Sequence, residues 1–211
     1  MPESNAIQYF NDNAEALSAQ YNSIDRAKVH EDLLALLPPS KKLDMLDVGA
    51  GSGADAHFFS SMGHKVVAAE PAQKLRDIAN QTFKDTNISW SDDQLPDLKS
   101  VTASDKKFDV IYAVGTLQYL DEKDRVIAFD KMASLLKQDG LLEIFYPTPA
   151  SREYQFSINA DELTNLVQLF NQQAKSQFQL DILQQKNVKD FTGRKALNGS
   201  DLYFNTTIIA C

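Results

Sequence analysis

The sequence predicts an α/β fold in which a mostly parallel β-sheet is flanked by helices. Short apolar runs alternate with amphipathic helical patterns from Leu43 almost to the end of the chain. Such alternation requires crossover connections, which place parallel strands in one sheet with helices on both faces. The first apolar run leads into three closely spaced glycines, Gly49, Gly51 and Gly53, and the second ends in an acid, Glu70. Both features are typical of a nucleotide-binding strand–loop–helix unit.

Composition favours a single domain, or a domain with a small cap, for this chain of 211 residues. Hydrophobic residues make up 43% and charged residues 24%, as in ordinary soluble globular proteins. The net charge of −8 disfavours DNA and RNA as partners, because nucleic-acid-binding proteins present a basic face. No signal segment or membrane-spanning run is recognisable, so we expect a cytoplasmic protein that does not contact a membrane. The single cysteine excludes an internal disulfide.

Two amphipathic helices are predicted between residues 5 and 37, and we treat residues 1–40 as an N-terminal helical cap on an α/β core of residues 41–211. Their apolar stripes repeat every three or four residues, and Pro38-Pro39 ends the second helix. The stripes consist of Phe10, Ala14, Leu17, Tyr21, Val29, Leu33 and Leu36. The aromatic residues Tyr9, Phe10 and Tyr21 either close over a ligand or pack the cap onto the sheet. His30 is expected at the surface of the helix pair.

The glycine loop follows a buried strand in the segment LDMLDVGAGSGADA, residues 43–56. Three glycines at alternate positions are costly in backbone entropy, so we interpret all three as allowing the backbone to approach a ligand closely. The helix that follows would direct its free N–H groups at the same ligand. The spacing is G-x-G-x-G after an acid, which differs from the dinucleotide pattern G-x-G-x-x-G. The loop therefore predicts a nucleotide-type ligand rather than a merely tight turn.

A second buried strand, residues 64–70, ends at Glu70, and Pro71 suits the first position of the next helix. Glu70 lies 21 residues after Gly49, close to the interval at which an acid receives ribose hydroxyls in βαβ units. A carboxylate accepts two O–H bonds at once, which suits a vicinal diol. The alternative is a solvated acid at a strand end.

The remaining elements follow from the same patterns. Strands are predicted at residues 87–90, 108–113, 141–146, 178–183 and 202–209. Helices are predicted at residues 54–62, after Pro71, at residues 122–137 and from a capping box at Asn159. Residues 99–107 are weakly periodic and predict a poor helix or a loop, and residues 150–157 a loop or small lid.

The pattern Asp47-x-Gly49-x-Gly51-x-Gly53 resembles motif I of the class I S-adenosylmethionine-dependent methyltransferases, which reads acid-x-G-x-G-x-G. The strand FDVIYA resembles motif IV of that family, and LLKQDGLLEIFYP resembles its helix-turn-strand before the substrate side. The resemblance covers residues 43–209. It implies a Rossmann-like, seven-stranded, mostly parallel sheet with the last strand antiparallel, and S-adenosylmethionine as cofactor.

The resemblance also implies where the ligands bind. In this family an acid after the third strand commonly takes the adenine amino group, and either Asp92 or Asp93 matches that place. The residues expected at the cofactor are Asp47, Gly49, Ala50, Gly51, Gly53, Glu70, Pro71, Asp92, Asp93, Ala113, Val114 and Tyr21. Those expected on the substrate side are Gln118, Tyr119 and Tyr146.

The chemistry implied is direct displacement of a methyl group, which requires alignment of the acceptor and exclusion of water. A base is needed only if the acceptor atom carries a proton when it attacks. No histidine lies between Leu117 and Tyr146, where some relatives place one, so no catalytic residue is assigned; His57 and His64 are expected away from the reaction. No metal ligands are predicted, and the oligomeric state is left open.

We expect a small-molecule acceptor, because the short link between the fifth strand and the helix at Asn159 leaves little room for a macromolecule-recognition domain. The alternative is a non-catalytic S-adenosylmethionine-binding protein that works through a partner. A nicotinamide-dependent oxidoreductase is disfavoured by the glycine spacing.

Overall fold

The computed structural model describes residues 3–84, 87–149, 154–173, 178–190, 195–196 and 198–211. Its strands are β1 (Asp44–Val48), β2 (Lys65–Ala69), β3 (Ile88–Ser91), β4 (Phe108–Val114), β5 (Leu136–Thr148), β6 (Asp181–Lys189) and β7 (Tyr203–Ala210). Its helices are α1 (Glu3–Asp12), α2 (Ala14–Asn22), α3 (Arg26–Val29), α4 (Glu31–Leu36), α5 (Ala54–Ser61), α6 (Gln73–Thr82), α7 (Lys99–Ala103), α8 (Glu122–Ser134) and α9 (Ala160–Gln172). The 3-10 turn Leu117–Tyr119 follows β4.

The strands form one seven-stranded sheet in the order β3-β2-β1-β4-β5-β7-β6. The first five strands are parallel, and β7 lies antiparallel between β5 and β6. The predicted α/β class, the seven strands and the antiparallel last strand are therefore confirmed. The order reverses between β1 and β4, so the loops after these two strands open a crevice at the carboxyl edge of the sheet.

Side chains of the central strands alternate between two hydrophobic clusters, one on each face of the sheet. In β1, Met45 belongs to the cluster that contains Phe59 of α5, whereas Leu46 belongs to the cluster that contains Phe129 of α8. All four side chains are almost completely buried. Burying each of them contributes roughly 1.5–3 kcal/mol, so both helical layers are held firmly to the sheet.

The N-terminal region contains four helices where the sequence predicts two. The Asp25 side chain accepts hydrogen bonds from Ala27 N and Lys28 N, at 3.1 and 3.3 Å, and so starts the separate helix α3. Ala14 packs with Ala72 and Leu75, which joins the cap to the start of α6. The division into cap and core at residue 40 stays a prediction.

Several predicted boundaries are wrong by a few residues. The helix α6 starts two residues after Pro71, and β5 starts five residues earlier than predicted. By contrast, the weakly periodic segment 99–107 contains the short helix α7, which agrees with the predicted poor helix or loop. The strand β6 extends to Lys189 although its side chains are largely exposed and polar. It is an edge strand that pairs through its backbone with β7, so its full length cannot be predicted from the pattern of hydrophobic residues.

The predicted start of α9 is confirmed, because the Asn159 side chain accepts a hydrogen bond from Glu162 N at 2.9 Å. Glu162 itself turns to Arg125, whose Nε donates to its carboxylate at 2.5 Å. Residues 150–153 of the predicted loop lie outside the described residues. Among the helices that are described, none has the length and apolar character needed to cross a membrane.

Candidate functional site

A cavity of about 220 Å³ opens at the carboxyl ends of β1, β2, β4 and β5. A single water molecule needs only roughly 10–15 Å³, so this space is large enough for an organic ligand. The glycine loop and Glu70 line one side, the turn after β4 lines another, and α1 covers the cavity through Phe10. The Phe10 ring meets the Tyr119 ring edge-on, with 5.2 Å between centroids.

The three glycines of the loop serve different purposes. All have positive φ, at +73°, +54° and +75° for Gly49, Gly51 and Gly53. A Cβ on Gly49 would lie 2.6 Å from the Thr116 hydroxyl oxygen, and one on Gly53 would lie 2.9 Å from the Trp90 ring. Gly49 and Gly53 are therefore required by backbone conformation and by packing inside the protein. Close ligand approach stays a prediction for Gly49, which also lines the cavity, and for Gly53, which is not among the lining residues.

Gly51 lines the cavity, as Gly49 does, but it differs from Gly49 in having room for a Cβ. A Cβ there would meet nothing closer than the Tyr21 ring, at 3.6 Å, and both residues line the cavity. Because that Cβ would project beneath an aromatic ring at the cavity wall, a larger side chain would occupy space available to a ligand. Ala50 also lines the cavity.

The carboxylate of Glu70 is buried at the cavity wall and held in a fixed orientation. Its Oε2 accepts a hydrogen bond from Gly51 N and its Oε1 accepts one from Ala72 N, both at 2.8 Å. Burial raises the pKa of Glu70, and the two backbone N–H groups only partly offset this. Each carboxylate oxygen keeps a second lone pair, so Glu70 can still receive two hydroxyl groups of a ligand.

The structure separates the two aspartates between which the sequence does not choose. Asp92 has a side chain 74% exposed, pairs with Arg76 at 3.0 Å and is not among the cavity-lining residues. Asp93 is buried and lines the cavity. Its oxygens accept hydrogen bonds from Gln94 N at 3.0 Å and Val101 N at 2.9 Å, which fixes its position. Asp93 is thus the aspartate placed to meet a ligand.

Other predicted residues divide in the same way between cavity and core. Those that line the cavity are Tyr21, Pro71, Val114, Gln118 and Tyr119. Ala113 and Tyr146 are fully buried in the hydrophobic core and are absent from the cavity wall. Tyr146 points away because neighbouring residues of a strand face opposite sides of the sheet, and Phe145 is the one that faces the cavity.

Beneath the glycine loop lies a buried cluster of charged side chains centred on His30. The expectation that His30 is at the surface is wrong, because its side chain is completely buried. Its Nδ1 donates to Glu143 Oε2 at 2.5 Å and its Nε2 donates to Asp55 Oδ1 at 2.8 Å. Burial alone would lower the pKa of His30, but the carboxylates of Glu143 and Asp55 outweigh it and raise the pKa to about 10. The imidazole is therefore charged at neutral pH.

The same cluster contains Asp47, the acid that precedes the glycines. Asp47 is buried, does not line the cavity, and has a pKa raised well above its ordinary value by burial, with the charge of Asp55 adding to the effect. Asp47 therefore lies outside the cavity wall, and its Oδ2 has no hydrogen-bond partner among the described residues. The start of the glycine loop is held instead by hydrogen bonds from Gly49 N and Ala50 N to Ala69 O, at 2.8 and 3.0 Å.

Sequence reasoning missed Arg26, a cavity-lining residue that connects the cap to the loop. Its Nη1 donates to both carboxylate oxygens of Asp55 at 3.1 Å, and its Nη2 donates to the Tyr21 carbonyl. Its Nε is buried without a hydrogen-bond partner among the described residues. No local pattern around Arg26 signals this position. Glu143 does carry a signal, since an acid within the apolar run LLEIFY calls for a buried partner.

Residues 45–140 match a family model described as a methyltransferase domain. This segment holds the glycine loop, Glu70, Asp93 and the strand that ends beside Gln118. It is a class I S-adenosylmethionine-dependent methyltransferase domain. The family resemblance drawn from the sequence is confirmed, and so is S-adenosylmethionine as the cofactor of the methyltransferase.

Solved methyltransferase structures share the fold of the whole chain at low sequence identity. Magnesium protoporphyrin IX methyltransferase from Synechocystis PCC 6803 has a TM-score of 0.71 and 13% identity, over 98% of this chain and 95% of its own. The 1,6-didemethyltoxoflavin-N1-methyltransferase of Burkholderia thailandensis has a TM-score of 0.65 and 16% identity, over 97% and 85%. The N-methyltransferase NodS of Bradyrhizobium japonicum WM9 has a TM-score of 0.63 and 18% identity, over 94% and 97%. No curated protein sequence is significantly similar to this chain.

Proposed function

We propose that this methyltransferase acts on a small molecule by direct displacement of the methyl group. The observation that carries the proposal is the cover over the cavity: α1 lies across it, with Phe10 against Tyr119. This cavity, partly covered by α1, suits a small compound better than a segment of a macromolecule. The net charge of −8 also disfavours a nucleic acid as acceptor.

The cavity offers groups that fit S-adenosylmethionine along its length. Glu70 would receive the ribose hydroxyls, because both of its oxygens keep a free lone pair beside Gly51. Asp93, with the apolar side chains of Leu95 and Leu98 on the same wall, would receive the adenine amino group. Arg26 would meet the carboxylate of the methionine part, since its buried Nε lacks a partner. These assignments extend the predicted site, with Arg26 added from the structure.

The cofactor supplies an activated methyl group on a sulfonium, which needs no further activation. The protein must hold the acceptor in line with that group and keep water out, and such positioning can supply up to roughly 7–11 kcal/mol. The edge-on contact of Phe10 with Tyr119 narrows the opening of the cavity on this side. The turn Leu117–Tyr119 follows β4 and would face the acceptor, with Gln118 and Tyr119 on the wall.

Relatives by fold are consistent with an acceptor of this kind. The structure from Burkholderia thailandensis holds 1,6-didemethyltoxoflavin together with S-adenosylhomocysteine, and the Synechocystis protein is a magnesium protoporphyrin IX methyltransferase. Both acceptors are small molecules. With identities of 16% and 13%, they suggest the size of the acceptor and not its structure.

The test is incubation of the protein with methyl-labelled S-adenosylmethionine and a protein-free metabolite extract. We expect label in a low-molecular-mass product, and much less of it with Glu70→Ala at a cofactor concentration that does not saturate the variant. Calorimetry with S-adenosylhomocysteine, run in parallel, shows whether the cofactor site is intact. Cofactor binding without any labelled product would favour the alternative, a non-catalytic binding protein that works through a partner.

A further inference from the structure

We infer that the acceptor atom is a neutral nitrogen bearing an N–H, in an otherwise apolar molecule, and that the side-chain oxygen of Gln118 receives that N–H. The inference rests on the proposed function, since it names the acceptor class of the same site. It depends on three observations: the apolar wall of the cavity, the unpaired oxygen of Gln118, and the engagement of every charged group on the described wall.

The part of the cavity away from Glu70 and Asp93 is predominantly apolar. Its wall consists of Ile24, Val29, Phe145, Pro147 and Phe204. An ionised acceptor placed against such side chains would lose its hydration without receiving a compensating charge. The wall therefore favours an uncharged, largely apolar molecule.

Charged side chains on the described part of the cavity wall are already engaged. Arg26 and Asp55 neutralise one another, with Nη1 3.1 Å from both carboxylate oxygens. Glu70 accepts two backbone N–H bonds, and so does Asp93. The described lining residues include no histidine, lysine or cysteine. With Arg26 also given to the carboxylate of the cofactor, as proposed above, a charged acceptor would find no further counter-ion among these residues.

Gln118 lines the cavity and, like Arg26, carries a buried side-chain atom without a hydrogen-bond partner among the described residues. The residue is 3% exposed, and its Nε2 donates to Gly115 O at 2.6 Å, which fixes the orientation of the amide. Its backbone carbonyl accepts a hydrogen bond from Phe156 N at 2.7 Å, so the turn itself is anchored. The side-chain Oε1 is buried and has no partner among the described residues. An unsatisfied buried acceptor costs about 1–3 kcal/mol, so a ligand that donates a hydrogen bond is favoured.

The chemistry of an amide oxygen selects nitrogen over oxygen as the acceptor atom. A hydroxyl acceptor must lose its proton as the new bond forms, and an amide oxygen is not a general base. Glu70 and Asp93 are assigned above to the ribose and adenine of the cofactor, and Asp55 is paired with Arg26. The phenol hydroxyls of Tyr21 and Tyr119 are weak bases. A neutral nitrogen needs no such help, because its lone pair attacks while its N–H remains bound to Gln118.

The step balances without a further reactant. The nitrogen lone pair forms the N–CH₃ bond while the S–CH₃ bond breaks and its electron pair returns to sulfur. The sulfonium becomes a neutral thioether, and its positive charge passes to the methylated nitrogen. That nitrogen then gives its proton to water after the product leaves the apolar wall.

The first test identifies the atom that carries the label. The product formed from the metabolite extract is purified, and its structure is determined by mass spectrometry and NMR. Label on a nitrogen supports the inference; label on oxygen, sulfur or carbon overturns it and leaves the proposed function standing. Intact S-adenosylhomocysteine binding with no labelled product overturns the proposed function, and the inference with it.

The second test uses Gln118→Met, which keeps the length of the side chain and removes the amide. Calorimetry with the acceptor identified above, on protein loaded with S-adenosylhomocysteine, should show acceptor affinity reduced about 5- to 150-fold, as expected for one buried hydrogen bond. Affinity for S-adenosylhomocysteine itself should be unchanged, which also shows that the variant is folded. Equal acceptor affinity in the two proteins would refute the role of Gln118. The conservative variant Gln118→Asn, with a shorter amide, should fall between the two.

Discussion

Replacement of His30 is expected to destabilise the protein more than any change at the cavity surface. His30 is fully buried and holds two carboxylates, Glu143 at 2.5 Å and Asp55 at 2.8 Å. In His30→Phe, Asp55 keeps Arg26 as its partner, but Glu143 Oε2 loses the imidazole and Oε1 already lacks a partner among the described residues. The variant thus leaves an uncompensated acid in the core.

The expected loss is about 3–5 kcal/mol, the usual cost of removing one partner from a buried ion pair. The rise in the pKa of His30 from 6.5 to about 10 corresponds to an upper value of roughly 5 kcal/mol, which agrees with that range. Total stabilities are typically 5–15 kcal/mol, so the variant should unfold at much lower denaturant concentration. Urea unfolding followed by circular dichroism at pH 6 measures the difference.

The control is the double variant His30→Phe/Glu143→Leu, which removes both charges and fills the space with apolar groups. It should recover a large part of the lost stability, because apolar replacement of a buried pair is often neutral or better. Recovery would show that the single variant fails through the unpaired carboxyl group and not through poor packing.

The contribution of His30 to the free energy of unfolding should decrease as the pH rises. The folded-state pKa of His30 is raised, so its stabilising contribution is complete below about pH 6.5 and is lost as pH rises towards 10. Between these values the wild type should lose about 1.4 kcal/mol per pH unit more than the double variant. A single variant within 1 kcal/mol of wild type at pH 6, or identical pH slopes in wild type and double variant, would refute the charged pair.

Three further predictions concern the loop, the ribose site and acid stability. Calorimetry should show that Glu70→Ala weakens S-adenosylhomocysteine binding about tenfold to a thousandfold and that Glu70→Gln weakens it less. Hydrogen bonds to a charged group are worth roughly 1.5–3 kcal/mol each, and water recovers part of the loss. Equal affinities of the wild type and Glu70→Ala would show that Glu70 does not contact the ligand. Gly51→Val should abolish binding of S-adenosylhomocysteine and reduce the free energy of unfolding by only about 1–2 kcal/mol, the strain of a left-handed residue. Gly49→Ala should mainly destabilise the fold, because the added Cβ clashes with Thr116. Normal binding by Gly51→Val would make this glycine purely structural. Asp109 is partly buried, which alone would raise its pKa, but Lys137 and Lys41 outweigh this and hold it at about 2, so stability should fall as pH drops from about 4 to 2. Asp109→Asn should cost about 1–2 kcal/mol at pH 7, after allowance for the exposed lysines, and should flatten that acid decline; an unchanged decline would contradict the assignment.

Local sequence patterns were sufficient to predict the architecture. Each strand or helix must bury one face, and this requirement determines the spacing of apolar residues over a short segment. The glycine loop between β1 and α5 and the acid at the end of β2 are likewise local, so the sequence was sufficient to predict a ligand-binding loop and the acid beside it. The exposed edge strand β6 was placed poorly, because backbone pairing with β7 and not side-chain burial holds it in the sheet.

The tertiary structure alone decided how individual side chains are used. It put Asp93 in the cavity wall and Asp92 in solvent, although the two are adjacent in the chain. It turned Tyr146 into the core and Phe145 towards the cavity, because neighbouring residues of a strand face opposite sides.

The structure also showed that Gly49 and Gly53 are required by the side chains packed against them, Thr116 and Trp90, which are distant in sequence.

His30 shows most clearly why the sequence alone could not predict such contacts. Its charge depends on Asp55, 25 residues away, and on Glu143, 113 residues away, in a site from which water is excluded. Spacing along a chain reports burial and local geometry, whereas the energy of a buried charge is set by whichever opposite charges the fold brings within hydrogen-bonding distance.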